Sequence, residues 1–155
     1  VNRARPVQIV SGRHPFEIAV LLAVLICGVV LMVTDRRPAS VAAAMPAGVQ
    51  AAWQVGLVVA GVIGLAALAW PGSLPTSMGV ELVSMVALGT STSMYAVALY
   101  VVSGMNAIAA GAFIVAVAVA SWARVGQIIR DLRRVARAAE QGLTADVPLL
   151  MERER

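Results

Sequence analysis

Residues 16–34 read FEIAVLLAVLICGVVLMVT, an apolar run whose single charge, Glu17, stands at its near end. At about 1.5 Å of rise per residue, a helix of roughly 17 to 25 such residues matches a hydrocarbon core of about 30 Å. Three further runs have the same character: 49–70 (VQAAWQVGLVVAGVIGLAALAW), 78–102 (MGVELVSMVALGTSTSMYAVALYVV) and 107–123 (AIAAGAFIVAVAVASWA). The fold expected is all-α: a polytopic membrane protein with a four-helix transmembrane bundle over 16–123. A short cytoplasmic arm, 1–15, precedes it. A basic amphipathic cytoplasmic helix, 124–142, and a flexible tail, 143–155, follow it.

Composition supports one membrane domain. With 60% hydrophobic residues, 13% charged and a mean hydropathy of +0.86, the 155-residue chain carries more apolar side chain than a water-soluble core of that size encloses. The first run exceeds the 7–15 residues usual for a signal-peptide core, and Asp35, Arg36, Arg37 and Pro38 separate it from the small residues Ala42 to Ala44. It therefore reads as a retained helix. The one cysteine, Cys27, lies within it, which leaves no intrachain disulfide and suits a small packing residue.

All twelve basic residues are arginine, and their distribution gives a topology. Three precede the first run, two lie in the 35–48 loop and seven follow from Arg124 onward. With four crossings, the positive-inside rule puts both termini in the cytoplasm. Gly104 and Asn106 suit a tight turn between the third and fourth spans, Pro71 and Pro75 separate the second from the third, and Trp53 and Trp70 fall near opposite faces as interfacial aromatics do.

Small residues recur at i+4, the spacing that lets membrane helices approach closely. The rows are Ala19, Ala23 and Cys27; Ala52, Gly56, Ala60 and Gly64; and Ala112, Ala116 and Ala120. They predict intramolecular packing, a homo-oligomer interface, or both. Glu17 and Glu81, each read as lying in the first turn of its helix, would meet Arg124 at the inner interface. Such a cluster pins helix ends together or serves as an ion or proton site, and helix N-termini favour the two anions. Thr90, Ser91, Thr92, Ser93 and Tyr95 make the third helix polar near its middle, for interhelical hydrogen bonds or for lining water in an assembly.

Beyond Arg124, apolar Val125, Ile128, Ile129, Leu132 and Val135 alternate at helical spacing with Arg130, Arg133, Arg134 and Arg137. This basic helix reads as one that lies on anionic headgroups, pairs with a second copy or recruits a protein partner; no base-reading motif accompanies it, so no nucleic acid is implied. Catalysis is not expected. The apolar runs hold no His, Asp or Lys, His14 precedes the first of them, and no catalytic set, metal site or cofactor loop is legible.

The chain resembles a group of small four-helix membrane proteins of actinobacterial phages and prophages. The likeness rests on His14-Pro15-Phe16-Glu17-Ile18-Ala19, Arg37-Pro38-Ala39-Ser40-Val41, Thr92-Ser93-Met94-Tyr95-Ala96, Ile129-Arg130-Asp131-Leu132-Arg133-Arg134 and Ala145-Asp146-Val147-Pro148. Some members are holins, which accumulate in the inner membrane and open lesions during host lysis. The resemblance implies a self-associating, permeabilising protein without catalytic residues. An accessory scaffold acting through the basic tail, and a small dimeric transporter using Glu17 or Glu81, are the other functions compatible with the residues.

Overall fold

The computed structural model describes residues 15–70 and 74–140. His14 with the rest of the N-terminal arm, the helix stop expected at Gly142 and the tail 143–155 lie outside the described residues. All the described elements are helical: α1 (Pro15–Thr34), α2 (Ala39–Ala44), α3 (Ala47–Leu68), α4 (Leu74–Ser103), a 3-10 turn (Gly104–Ala107) and α5 (Ile108–Glu140). Three stretches are long and apolar enough to cross a membrane: Pro15–Thr34, Ala47–Leu68 and Thr76–Arg137. The last contains α4, the turn and most of α5.

Local chemistry sets the ends. α1 starts on Pro15, whose missing N–H costs nothing in a first turn. It stops where Asp35 takes a left-handed φ of 48°, a conformation that Asp tolerates better than a branched residue. Gly104, at φ 53°, ends α4 by the same geometry. The 35–48 segment is not the plain loop expected from sequence. It contains α2, whose Val41 is fully buried against Trp53 and Leu57 of α3. Gln50 secures this corner: its Nε2 donates to the Met45 carbonyl at 2.6 Å, and its Oε1 accepts from Arg37 Nη1 at 2.8 Å.

Two boundaries differ from the sequence reading in ways that matter. α4 begins at Leu74, not Met78, because Pro75 falls within its first turn instead of preceding it. Glu81 therefore stands about 10 Å inside the helix and gains nothing from its N-terminus. α5 passes through 123 and 124 unbroken, so the basic helix is the last half of a helix about 50 Å long.

Neighbouring helices run antiparallel. Gly28 of α1 lies under Leu57 and Val58 of α3, while Gly61 of α3 lies under Leu21 and Leu25 of α1; a Cβ at Gly61 would stand 2.9 Å from the Leu25 Cα. α4 returns along α3, and α5 along α4, with the Tyr100 ring over Gly111 and the Trp122 ring over Gly89. Leu21, Ala60, Met78, Met85, Leu88, Val125 and Ile128 form the main buried cluster. Among the described residues, no Cα of α1 comes within 8 Å of α4 or α5. The four long helices thus form a row, α1, α3, α4, α5, curled but open between its outer members. The periphery is apolar: Phe16, Val33, Val101, Met105 and Phe113 are each at least 72% exposed, a surface matched to lipid and not to water.

Candidate functional site

The opening between α1 and α5 is a groove of about 870 Å3, floored by Met85 and Leu88 of α4. Phe16, Glu17, Val20 and Leu21 line it from α1; Val117, Ala120, Arg124, Arg130, Asp131 and Arg134 are among its lining from α5. With Gln127, the series Val117, Ala120, Arg124, Gln127, Asp131 and Arg134 recurs every three to four residues, so one helical face carries both the apolar and the charged part of the wall.

An ion pair fixes the groove where the two parts meet. Arg124 Nε donates to Glu81 Oε1 at 2.6 Å, the side chains being 23% and 10% exposed. Arg124 projects from α5 beside the buried Val125, which orients the helix; Glu81 projects from α4 between Met78 and Met85, both buried. Glu17, in the first turn of α1, borders the same groove as Arg124. Further along, Arg134 pairs loosely with Asp131 at 3.4 Å, and Arg130 turns its Nε back onto the Gly126 carbonyl at 3.0 Å.

The hydroxyls of α4 are distributed differently from the sequence reading. Thr92 Oγ1 donates to the Leu88 carbonyl within its own helix, at 2.7 Å, and Thr90 is exposed. Ser93 Oγ accepts from Trp122 Nε1 at 3.2 Å, and Tyr95 stacks at a tilt on Trp53 with ring centroids 5.6 Å apart. Trp53 is no interfacial aromatic: it is 3% exposed, and its Nε1 donates to the Ser91 carbonyl at 3.0 Å. The organised polar feature is a row of serines seven residues apart. Ser77 Oγ donates to the Ala67 carbonyl at 3.0 Å, Ser84 Oγ donates to the Ala60 carbonyl at 2.8 Å, and Ser91 Oγ sits over Gly56. A seven-residue spacing keeps one seam of a helix on its neighbour, and small residues opposite let the backbones close to hydrogen-bonding distance. The spacing is present in the sequence. It is masked there by the denser run of hydroxyls at 90–93.

Of the small-residue rows, only that of α3 is turned inward: Ala60 and Gly64 are buried and Gly56 half-buried, with Ala52 exposed. Ala19, Ala23 and Cys27 on α1, and Ala112, Ala116 and Ala120 on α5, are exposed. Intramolecular packing on α1 instead uses Leu21 and Gly28, and on α5 it uses Gly111, Ala118 and Ser121. The basic half of α5 also departs from expectation. Its apolar side, Val125 and Ile128 with Ile129 and Leu132, packs on the chain's own core, so that face is not available to a membrane surface or a second copy. Arg130, Arg133, Arg134 and Arg137 remain exposed. Gln54, not singled out by sequence, is 6% exposed, and its Nε2 has no hydrogen-bond partner among the described residues. Among the described residues no His, Cys, Asp and Glu side chains gather in threes. Comparison with family models, curated proteins and solved structures gives no match.

Proposed function

We propose that this is a four-span protein of a bacterial inner membrane, with both termini cytoplasmic, that self-associates laterally and permeabilises the membrane in the manner of a holin. α4 and α5 count as separate crossings in this reading because the Gly104 turn reverses the chain and the two helices pack antiparallel from Tyr100 and Gly111 to Glu81 and Arg124. The observation that carries self-association is the exposure of two alanine rows, one on each outermost helix, that the monomer's own packing leaves unused. Close-packing rows on lipid-facing surfaces are the usual means by which membrane helices associate, since lipid itself supplies little hydrophobic drive.

Cys27 gives a direct test, since it stands on the α1 row and is exposed. Oxidative crosslinking in native membranes is expected to trap a dimer through Cys27, and Ala23→Leu to abolish it. In a Cys27→Ser background, Ala116→Cys reports the α5 row in the same way. Membrane potential followed during induced expression is expected to collapse abruptly at a threshold copy number. A chain that stays monomeric by both cysteines while the potential holds sinks the proposal. Gly56→Leu and Gly64→Leu are unsuitable for this purpose, because those glycines face Ser91 and Ser84 inside the bundle and report folding.

One observation favours a scaffold reading instead: four arginines, Arg130, Arg133, Arg134 and Arg137, are displayed on a helix held rigidly by its own core. Stable insertion with unchanged potential, together with a cytoplasmic protein lost on substituting Arg133 and Arg137, would select it.

A further inference from the structure

We propose that the groove between α1 and α5 seats one anionic phospholipid, acyl chain against the apolar wall and phosphate at Arg130. The groove's volume of about 870 Å3 lies in the range of roughly 300–1,000 Å3 typical of small-molecule sites. Its chemistry is graded along its length. Val20, Leu21, Leu88 and Val117 supply an apolar wall; about two to five turns beyond Val117 along α5, the lining becomes Arg124, Arg130 and Arg134. An amphiphile has the same order of parts.

Charge selects the headgroup. The lining carries three arginines against the carboxylates Glu17 and Asp131. Arg124 is held by Glu81, and Arg134 faces Asp131. Arg130 lines the groove with no carboxylate in ion-pair range among the described residues, and its Nε bond to the Gly126 carbonyl holds the guanidinium along the wall. Among the described residues Arg130 is thus a lining cation with no carboxylate partner, and at the mouth of an apolar slot it matches an anionic phosphodiester. The groove also opens to the side, because α1 touches neither α4 nor α5 by backbone, so a lipid enters from the bilayer without disturbing helix contacts. Arginines near the inner face attract anionic lipids there.

The inference rests on membrane insertion and shares only Ala120 with the rows that carry self-association. The full chain, extracted in mild detergent, is mixed with equal amounts of phosphatidylglycerol and phosphatidylcholine, and retained lipid is read by native mass spectrometry. Preferential retention of one phosphatidylglycerol per chain is expected. Arg130→Gln, at an exposed site that leaves the fold intact by circular dichroism, is expected to weaken that retention roughly fivefold, the effect of one arginine near a charged headgroup. Ala120→Trp, which fills the apolar wall, is expected to abolish it. Inorganic phosphate alone is expected to give no thermal shift. Equal retention of both lipids, retention unchanged in the two variants, or full stabilisation by inorganic phosphate would each overturn the assignment. So would a change in oligomeric state, in place of lipid loss, on Ala120→Trp.

Discussion

Neutralising Glu81 is the perturbation whose cost the structure fixes best. Glu81→Gln keeps the shape of the side chain and removes the charge that Arg124 Nε meets at 2.6 Å. Breaking a buried ion pair from one side costs about 3–5 kcal/mol, because the remaining charge is left in a poor solvent. Arg124 keeps 23% of its side chain exposed and has a long stem that can redirect the guanidinium along the groove, so about 3 kcal/mol is expected for Glu81→Gln. Arg124→Gln strands the more deeply buried partner, 10% exposed, and is expected to cost more, about 4 kcal/mol. Replacing both by leucine removes both charges at once and is expected to fall within about 1–2 kcal/mol of the parent. The assay is reversible unfolding in mixed micelles titrated with a denaturing detergent, with the parent, both single variants and the double replacement measured. The double replacement is thus expected to cost about 5–6 kcal/mol less than the two single variants would cost additively. Single variants within about 0.5 kcal/mol of the parent, with additive effects, would refute the view that this pair holds α4 to α5.

The same assay checks three smaller effects. Gly64→Ala places a methyl 2.5 Å from Ser84 Oγ and 2.6 Å from a Leu21 methyl, and is expected to cost about 1–3 kcal/mol. Ser84→Ala alone gives up one interhelical hydrogen bond, about 0.6 kcal/mol, yet makes room for that methyl, so the double variant is expected to be more stable than the sum of the singles. Gln54→Met removes a buried donor with no partner and is expected to stabilise by about 1 kcal/mol. Two glycines of α5 are expected to respond oppositely to alanine. Gly126 has nothing within 4 Å of a new Cβ, so alanine there gains up to about 1 kcal/mol of helix propensity, whereas at Gly111 the methyl meets the Tyr100 ring at 2.6 Å and destabilises.

Hydropathy made the helices legible because a span must be long and apolar wherever it packs; 16–34 differs from α1 by one residue at its start. What it could not supply is direction around the helix. Ala19 and Ala60 belong to similar i+4 rows, and only the neighbours decide that one faces outward and the other is fully buried. Where every face is apolar, amphipathicity no longer marks the core side, and that is the one signal soluble helices provide. The depth of Glu81 differs for another reason: Pro71 and Pro75 read together as the break before a third helix starting at Met78, whereas proline is equally at home inside a first turn, and four added residues move the carboxylate a full turn deeper. Arg124 and Glu81 could be paired from sequence because hairpin geometry brings the start of one helix to the end of the next. Ser91 reads from sequence as part of a polar patch and not as one member of a heptad seam with Ser77 and Ser84, because the denser hydroxyls at 90–93 mask that spacing.

That seam also constrains how an assembly could open the membrane. A water path lined by α4 would have to take Ser77, Ser84 and Ser91 from the α3 carbonyls and glycines they cover, together with the Trp53 bond to Ser91. Each interhelical bond is modest, about 0.6 kcal/mol, but α4 is an inner member of the row, packed on both sides between α3 and α5. Exposing its seam means separating the centre of the bundle. The outer helices carry no such penalty: among the long helices the α1 backbone lies close to α3 alone, and its small-residue row, like that of α5, is already exposed. Assembly through α1 and α5 therefore leaves the monomer's hydrogen bonds intact. Any aqueous path it creates has to run between copies or along the charged α1/α5 groove, where Glu17 and the arginines already stand, and not through the serine seam.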